Sequence, residues 1–149
     1  MSDKIKKAIE LYNKGEYEKA TDIFSSVLET EKPTVEVYNT LGLCYKEVGN
    51  IEKAEDNFLK ALELNPKSPE LYINLADLYF KTKDYGNGIE LLLQGVYELP
   101  DNMVIRHFLA RFYMEDSRLD LAIDELEHIL EVQPENFDAY YDLGKVHFE

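Results

Sequence analysis

Histidine, cysteine and the carboxylates are the side chains in this chain that could bind a metal ion or transfer protons. The three histidines, His107, His128 and His147, are too far apart in sequence to share one helical turn. A metal site on a helix would require ligands at positions i and i+4 or within one turn. The single cysteine, Cys44, excludes both a disulfide within the chain and a cluster of thiolates. We therefore expect neither a metal site nor a cofactor.

The acidic residues are numerous, but their arrangement shows no catalytic pattern. Thirty carboxylates form many pairs by chance, and without a pocket signature they are typical of solvated helix faces. Gly86-Asn87-Gly88 lacks the remaining glycine of a dinucleotide-binding loop and does not follow a strand pattern. No motif of an activated nucleophile surrounds any serine. We expect that the chain is not an enzyme.

The net charge of −14 restricts the classes of partner. It repels the phosphates of nucleic acids and of anionic lipids, and it favours basic partners. No stretch approaches the 18 apolar residues that a membrane-spanning helix needs, so we expect no membrane insertion. The first residues lack the apolar core of a signal peptide, so a cytoplasmic location is expected.

Three prolines, Pro66, Pro100 and Pro134, lie 34 residues apart and mark a repeat. The residues before them recur in the same order: Tyr38, Leu41, Gly42 and Tyr45; Tyr72, Leu75, Ala76 and Tyr79; Arg106, Leu109, Ala110 and Tyr113; and Tyr140, Leu143, Gly144 and His147. Similarity at a fixed period of this size is typical of stacked arrays rather than of one globular core. We interpret residues 1–149 as a single array of units 1–34, 35–68, 69–102 and 103–136, with a half unit at 137–149.

Each unit carries the pattern of two amphipathic helices joined by a tight turn. In the second unit, apolar residues recur every three or four positions from Val37 to Val48, which predicts a helix with one buried face. Gly49 permits the left-handed geometry that ends this helix, and Asn50 can cap the next one. The same pattern along the chain predicts an all-α fold with helices at 3–14, 17–30, 35–48, 51–64, 69–82, 85–98, 103–115, 119–132 and 137–149.

Small residues recur where the two helices of a unit are expected to cross. These residues are Gly42, Ala76, Ala110 and Gly144 on the first helices and Ala20, Ala54, Gly88 and Ala122 on the second helices. A larger side chain there would push the helix axes beyond the usual separation of about 8–10 Å. Within a helix, Gly88 and Gly95 each cost about 0.5–1 kcal/mol relative to alanine. We therefore expect the helix at 85–98 to be the least stable of the second helices.

The second unit carries the fullest version of the repeated motif, with Tyr38, Leu41, Gly42, Tyr45, Ala54, Phe58, Ala61 and Pro66. This order of residues resembles the tetratricopeptide repeat (TPR), and the resemblance covers essentially the whole chain. It implies an α-α superhelix, a solenoid of tandem 34-residue helix-turn-helix units with about nine helices. It also implies a protein–protein interaction scaffold, in which the first helices line a concave groove that binds a peptide or helix of a partner protein.

The resemblance also implies which side chains face the groove. Carried over by position, the candidate peptide-binding residues are Asn39, Leu43, Ile73, Asn74, Asp77, Phe80, Phe108, Arg111, Met114 and Tyr141. The apolar members form a strip of a kind that commonly marks a binding site. The alternative is that some of these side chains pack within the array.

The charges near these positions indicate the chemistry of the partner. Co-chaperones of this family hold an acidic peptide terminus with lysine, asparagine and arginine side chains. Asn74 matches one of these positions, but Glu36, Glu70 and Val104 stand where basic residues are expected. We therefore expect a protein or peptide partner that is apolar with basic flanks.

The last predicted helix leaves two alternatives open. Tyr141, Val146 and Phe148 are expected to be poorly covered, whereas the ends of solenoids normally have a polar outer face. Either the chain is the TPR portion of a larger multidomain protein, or this helix is a self-association surface through which the chain forms a homo-oligomer.

Overall fold

The computed structural model describes residues 1–148, which form nine α-helices and no β-strand. The helices are α1 (Asp3–Asn13), α2 (Tyr17–Thr30), α3 (Val35–Glu47), α4 (Ile51–Leu64), α5 (Pro69–Thr82), α6 (Tyr85–Glu98), α7 (Met103–Glu115), α8 (Leu119–Val132) and α9 (Phe137–Phe148). The predicted all-α fold is confirmed, and each boundary lies within one residue of the predicted one. Glu149, the last residue of the predicted final helix, lies outside the described residues. None of the helices in residues 1–148 is long and apolar enough to cross a membrane.

The turn between the two helices of a 34-residue repeat has the same backbone geometry in all four complete repeats. Gly15, Gly49, Lys83 and Ser117 lie 34 residues apart, and each has a positive φ between 59° and 82°. In each turn, the N–H of the following residue donates to the carbonyl five residues earlier, at 2.8–2.9 Å. The predicted left-handed turn at Gly49 is confirmed.

Side-chain caps start several of the helices. Asn50 Oδ1 accepts a hydrogen bond from Lys53 N at 3.1 Å, as the sequence predicts. Asn102 Oδ1 accepts one from Ile105 N at 3.0 Å at the start of α7. Caps of this type stabilise a helix by about 1 kcal/mol, so they explain why the boundaries are readable from the sequence.

The chain divides into two compact units, each larger than a single repeat, and from here on "first unit" and "second unit" refer to these two. Residues 1–78 form the first unit, with α1 to α4 and the part of α5 that ends at Leu78. Helix α1 packs on α2 and α3, and α3 packs on α4. The buried core contains Ile5, Ala8, Ala20, Phe24, Val27, Val37, Leu41 and Cys44. Gly42 lies against Phe58, and a Cβ added to Gly42 would lie 2.7 Å from Phe58 Cε1. The predicted close approach at Gly42 is therefore confirmed.

The second compact unit begins at Tyr79 and contains the end of α5 together with α6 to α9. Helix α6 packs on α7, α7 on α8, and α8 on α9. One buried cluster contains Met103, Ala110, Leu126, Ile129, Ala139 and Val146. A Cβ added to Gly88 would overlap the ring of Phe112 on α7, so a glycine is needed for this contact.

One expectation for α9 is wrong. Val146 is buried rather than poorly covered, because it packs in the cluster that includes Leu126 and Ile129 of α8. At Gly144, no described atom outside its own helix lies within 4 Å of the position of a Cβ, and the predicted helix crossing there stays a prediction.

Candidate functional site

The first unit contains an open pocket of about 500 Å³ between α1, α3 and the start of α5. It is lined by Ile9, Tyr12, Asn13, Val35, Glu36, Asn39, Thr40, Leu43, Ser68, Glu70 and Leu71. Ile9, Tyr12 and Leu43 are half-buried and contribute apolar surface, whereas Glu36 and Glu70 are exposed. None of these lining residues is basic. The pocket therefore combines apolar surface with negative charge.

Two asparagines connect α3 with α5 beside this pocket. Asn39 Nδ2 donates a hydrogen bond to Glu70 Oε1 at 3.0 Å, and Asn74 Nδ2 donates one to Asn39 Oδ1 at 2.9 Å. These contacts orient the Asn39 amide and hold the carboxylate of Glu70 at the edge of the pocket. The structure thus brings together Asn39 and Asn74, which are both candidate residues from the sequence.

Asp77 on α5 forms an ion pair with Lys46 on α3, with 3.1 Å between Oδ2 and Nζ. The side chain of Lys46 is mostly buried and that of Asp77 is partly exposed. Two further candidates, Leu43 and Ile73, are half-buried on the same two helices. Since Lys46 offsets the charge of Asp77, the negative charge of the pocket comes mainly from the exposed glutamates.

Cys44 lies in the core of the first unit, on the same helix as Asn39 and Leu43. Burial raises the pKa of its thiol to about 11. The thiol is therefore neutral at physiological pH and acts as an apolar side chain rather than as a nucleophile.

The second unit contains a smaller pocket of about 210 Å³ between α7 and the start of α9. It is lined by Met103, Val104, His107, Phe108, Arg111, Gln133, Asn136 and Asp138. Phe108 is half-buried and Arg111 is exposed, so an apolar and a basic side chain are available in one concavity. The structure thus brings together these two candidate residues.

Phe80 packs within the second unit. Its ring centroid lies 5.4 Å from that of Phe112 and 6.0 Å from that of Tyr85. The guanidinium of Arg111 lies 5.2 Å from the Phe80 centroid, which is within the range of a cation–π interaction. The aromatic cluster therefore orients Arg111. Phe80 itself packs within the array, which is the alternative that the sequence left open for the apolar candidates.

The last two candidates, Met114 and Tyr141, differ in exposure. Met114 is partly buried and packs against the core of the second unit. Tyr141 is exposed, and Lys145 Nζ lies 4.5 Å from its ring centroid. Of the two, Tyr141 offers the larger surface to a partner.

A contact that the sequence interpretation missed joins α7 to α9. His107 Nε2 lies 2.8 Å from Asp142 Oδ2, and Lys145 Nζ lies 3.2 Å from Asp142 Oδ1. Asp142 is buried, and each of its two carboxylate oxygens has a partner. A signal was present in the repeat, because Asp142 follows His107 by 35 residues, the interval that also separates Asn39 from Asn74.

The helix pairs, their shared turn and the 34-residue period define an all-α repeat protein of the solenoid class. Two sequence profiles, each described as a tetratricopeptide repeat, match residues 35–68 and 57–90. Residues 35–90 of the chain therefore carry tetratricopeptide repeats.

Solved structures share this fold. The structure titled "MamA 41-end from Desulfovibrio magneticus RS-1" has a TM-score of 0.80 and 22% identity, covering 99% of this chain and 86% of its own. "First TPR of Spaghetti (RPAP3) bound to HSP90 peptide SRMEEVD" has a TM-score of 0.67 and 24% identity, covering 76% of this chain and 90% of its own. At these identities the likeness shows the fold alone. The comparison with curated protein sequences gives no match.

Proposed function

We propose that this chain is a non-catalytic interaction module that binds a peptide or helix of a partner protein through the pockets on its first helices. The observation that carries the proposal is the first unit's pocket, in which apolar side chains lie beside asparagine amides and exposed glutamates. Apolar surface with a few polar groups is the usual composition of a binding site. Amides both donate and accept hydrogen bonds, so they suit the backbone of a ligand.

The partner that fits this pocket is an apolar segment with basic flanks. Glu36 and Glu70 are exposed at the pocket, and the chain as a whole carries a net charge of −14. Complementary charge favours lysine or arginine next to the apolar anchor of the ligand. The peptide in the Spaghetti structure, SRMEEVD, is acidic near its end, and such a peptide would face like charge in this pocket.

The candidate residues divide between direct contact and positioning. We assign direct contact to Leu43, Asn74, Phe108 and Arg111. Asn39 orients Glu70 in the first unit, and Phe80 lies under Arg111 in the second. We expect micromolar affinity, because part of the ligand must become ordered when it binds.

Fluorescence polarisation with two labelled peptides tests the proposal. The peptides have equal length and the same leucines, and the leucines are flanked by lysine in one and by glutamate in the other. We expect a Kd on the order of 10–100 µM for the lysine peptide and binding at least about tenfold weaker for the glutamate peptide. Leu43→Ser and Glu36→Gln are expected to weaken binding of the lysine peptide.

Glu52→Gln is the matched control for Glu36→Gln. Both glutamates lie in the first turn of a helix, but Glu52 lies on α4 and does not line the pocket. Equal binding of the two peptides would refute the charge assignment. A pull-down adds a test of the second unit: partner capture that survives both Phe108→Ala and Arg111→Ala would refute its pocket as a binding surface.

A further inference from the structure

Three polar side chains beside the first unit's pocket form a hydrogen-bond chain with a fixed direction. A carboxylate only accepts hydrogen bonds, so Asn39 presents its Nδ2 to Glu70 Oε1, at 3.0 Å. The Oδ1 of the same amide therefore faces Asn74, which donates from its own Nδ2 at 2.9 Å. Both amides thus donate towards Glu70. We call Asn74, Asn39 and Glu70 the Glu70 relay.

The Glu70 relay distinguishes Glu70 from Glu36, the other exposed carboxylate of the pocket. No hydrogen bond or ion pair holds the Glu36 side chain within residues 1–148. A glutamate without a partner samples several rotamers, so it attracts a cation without selecting the geometry of the cation. Glu70 is held through Oε1, and its remaining lone pairs are therefore available to a ligand in one orientation.

The second unit has the same side-chain positions with a different direction of donation. All but one of the residues that line its pocket correspond to lining residues of the first unit's pocket two repeats earlier. For the relay positions, the corresponding pairs are Asn39 and His107, Asn74 and Asp142, and Glu70 and Asp138. Because Asp142 only accepts, His107 donates its Nε2–H to Asp142, at 2.8 Å, rather than to Asp138. The carboxylate that is held in the second unit is therefore buried, whereas Glu70 is exposed.

We propose that Glu70 selects the basic flank of the ligand and that this flank is an arginine rather than a lysine. The inference rests on the proposed function. A carboxylate held in one orientation suits the planar guanidinium, which donates two parallel hydrogen bonds, whereas the ammonium of lysine is a compact point charge. None of the lining residues is basic, so no cation of the pocket itself occupies Glu70. In this selection Asn39 and Asn74 are positioning residues, because they act on the arginine through Glu70.

Fluorescence polarisation with a third labelled peptide tests the selection. This peptide has the length and the leucines of the lysine peptide, with arginine in place of lysine. We expect the unmodified chain to bind the arginine peptide at least about fivefold more tightly than the lysine peptide. Glu70→Gln is expected to reduce this ratio of dissociation constants to less than about twofold, because the amide cannot accept two parallel hydrogen bonds. Glu70 is exposed, so the change does not disturb the fold.

Asn74→Asp tests the direction of donation. An aspartate at position 74 only accepts, so Asn39 is expected to turn its Nδ2 towards position 74 and its Oδ1 towards Glu70. Glu70 then loses its donor, and the preference for arginine is expected to fall below about twofold, although the change adds a negative charge. An effect of charge alone would instead strengthen binding of both peptides and leave their ratio unchanged. Asp142 shows that the repeat accommodates an aspartate at this position.

Two control variants separate the selection from the charge of the pockets. Glu36→Gln removes a charge from the same pocket and is expected to weaken binding of both peptides while their ratio is kept. Asp138→Asn changes the position that corresponds to Glu70 in the second unit and is also expected to keep the ratio.

The outcomes distinguish the inference from the proposed function. Equal affinity for the arginine and lysine peptides would overturn the inference alone. So would a ratio that survives Glu70→Gln and Asn74→Asp, or a ratio that Asp138→Asn abolishes. If the chain binds neither peptide, the proposed function fails, and the selection of arginine fails with it.

Discussion

The two units close the same turn between helices with different residues. In the first unit Gly15 and Gly49 occupy the left-handed position, and in the second unit Lys83 and Ser117 occupy it. Glycine adopts a positive φ without penalty, whereas a residue with a Cβ costs about 1–2 kcal/mol there. The second unit therefore contains an unfavourable local geometry at two positions where the first unit has none.

Side-chain contacts offset this difference in the second unit. The rings of Phe80, Tyr85 and Phe112 form a cluster with centroid distances of 5.4–6.1 Å. Arg106 and Glu125 form a largely buried ion pair, with 2.6 Å between Nη1 and Oε2. The comparison teaches that contacts between helices can offset a less favourable turn geometry in the same repeat.

The largest expected effect is the loss of Phe112 from this cluster. Phe112→Ala is expected to lower the free energy of unfolding by about 3–5 kcal/mol, because the ring is fully buried. Phe58→Ala in the first unit removes an equally buried ring. We expect Phe112→Ala to cost about 0.5–1.5 kcal/mol more, since Phe112 contacts two other aromatic rings. Urea denaturation of both variants measures the difference, and a larger loss for Phe58→Ala would break the comparison.

The fold is readable from this sequence because local signals and the repeat agree. Caps such as Asn50 and turn residues such as Gly49 fix the helix ends, and the period shows which helices pair. The prediction fails at Val146, which was expected to be poorly covered but packs against α8.

The candidate site is less readable, because positions in a repeat do not determine side-chain partners. Asn39 and Asn74 were both identified, but their hydrogen bond depends on the reach of two amides across neighbouring helices. The pairing of His107 with Asp142 uses the same 35-residue interval with different chemistry, and it was missed. Phe80 was assigned to the groove face, and its contact with the ring of Phe112 was not predicted.

The turn residues give the second prediction, with opposite signs in the two units. Lys83→Gly and Ser117→Gly are each expected to stabilise the chain by about 0.5–1 kcal/mol. The reason is that the free energy gained by removing the Cβ from the left-handed position exceeds the entropic cost of a glycine, which makes the unfolded chain more flexible. Gly15→Ala and Gly49→Ala are expected to destabilise it by about 1–2 kcal/mol. The midpoints of urea unfolding check the signs, and destabilisation by both glycine substitutions in the second unit would show that Lys83 and Ser117 make other, stronger contributions.

The smallest expected effect concerns helix α6, which carries three glycines within 14 residues. Amide hydrogen exchange is expected to be about tenfold faster in α6 than in α4, because the interior glycines Gly88 and Gly95 together cost about 1–2 kcal/mol.

Gly86 is the glycine of α6 at which a substitution by alanine can test this explanation, since the space around it is open, whereas Gly88 contacts Phe112. Gly86→Ala is expected to slow exchange in α6 about twofold, through about 0.5 kcal/mol of helix propensity, and to leave α4 unchanged. Equal protection of α4 and α6 in the unmodified chain would mean that packing around Phe112 fully compensates for the glycines.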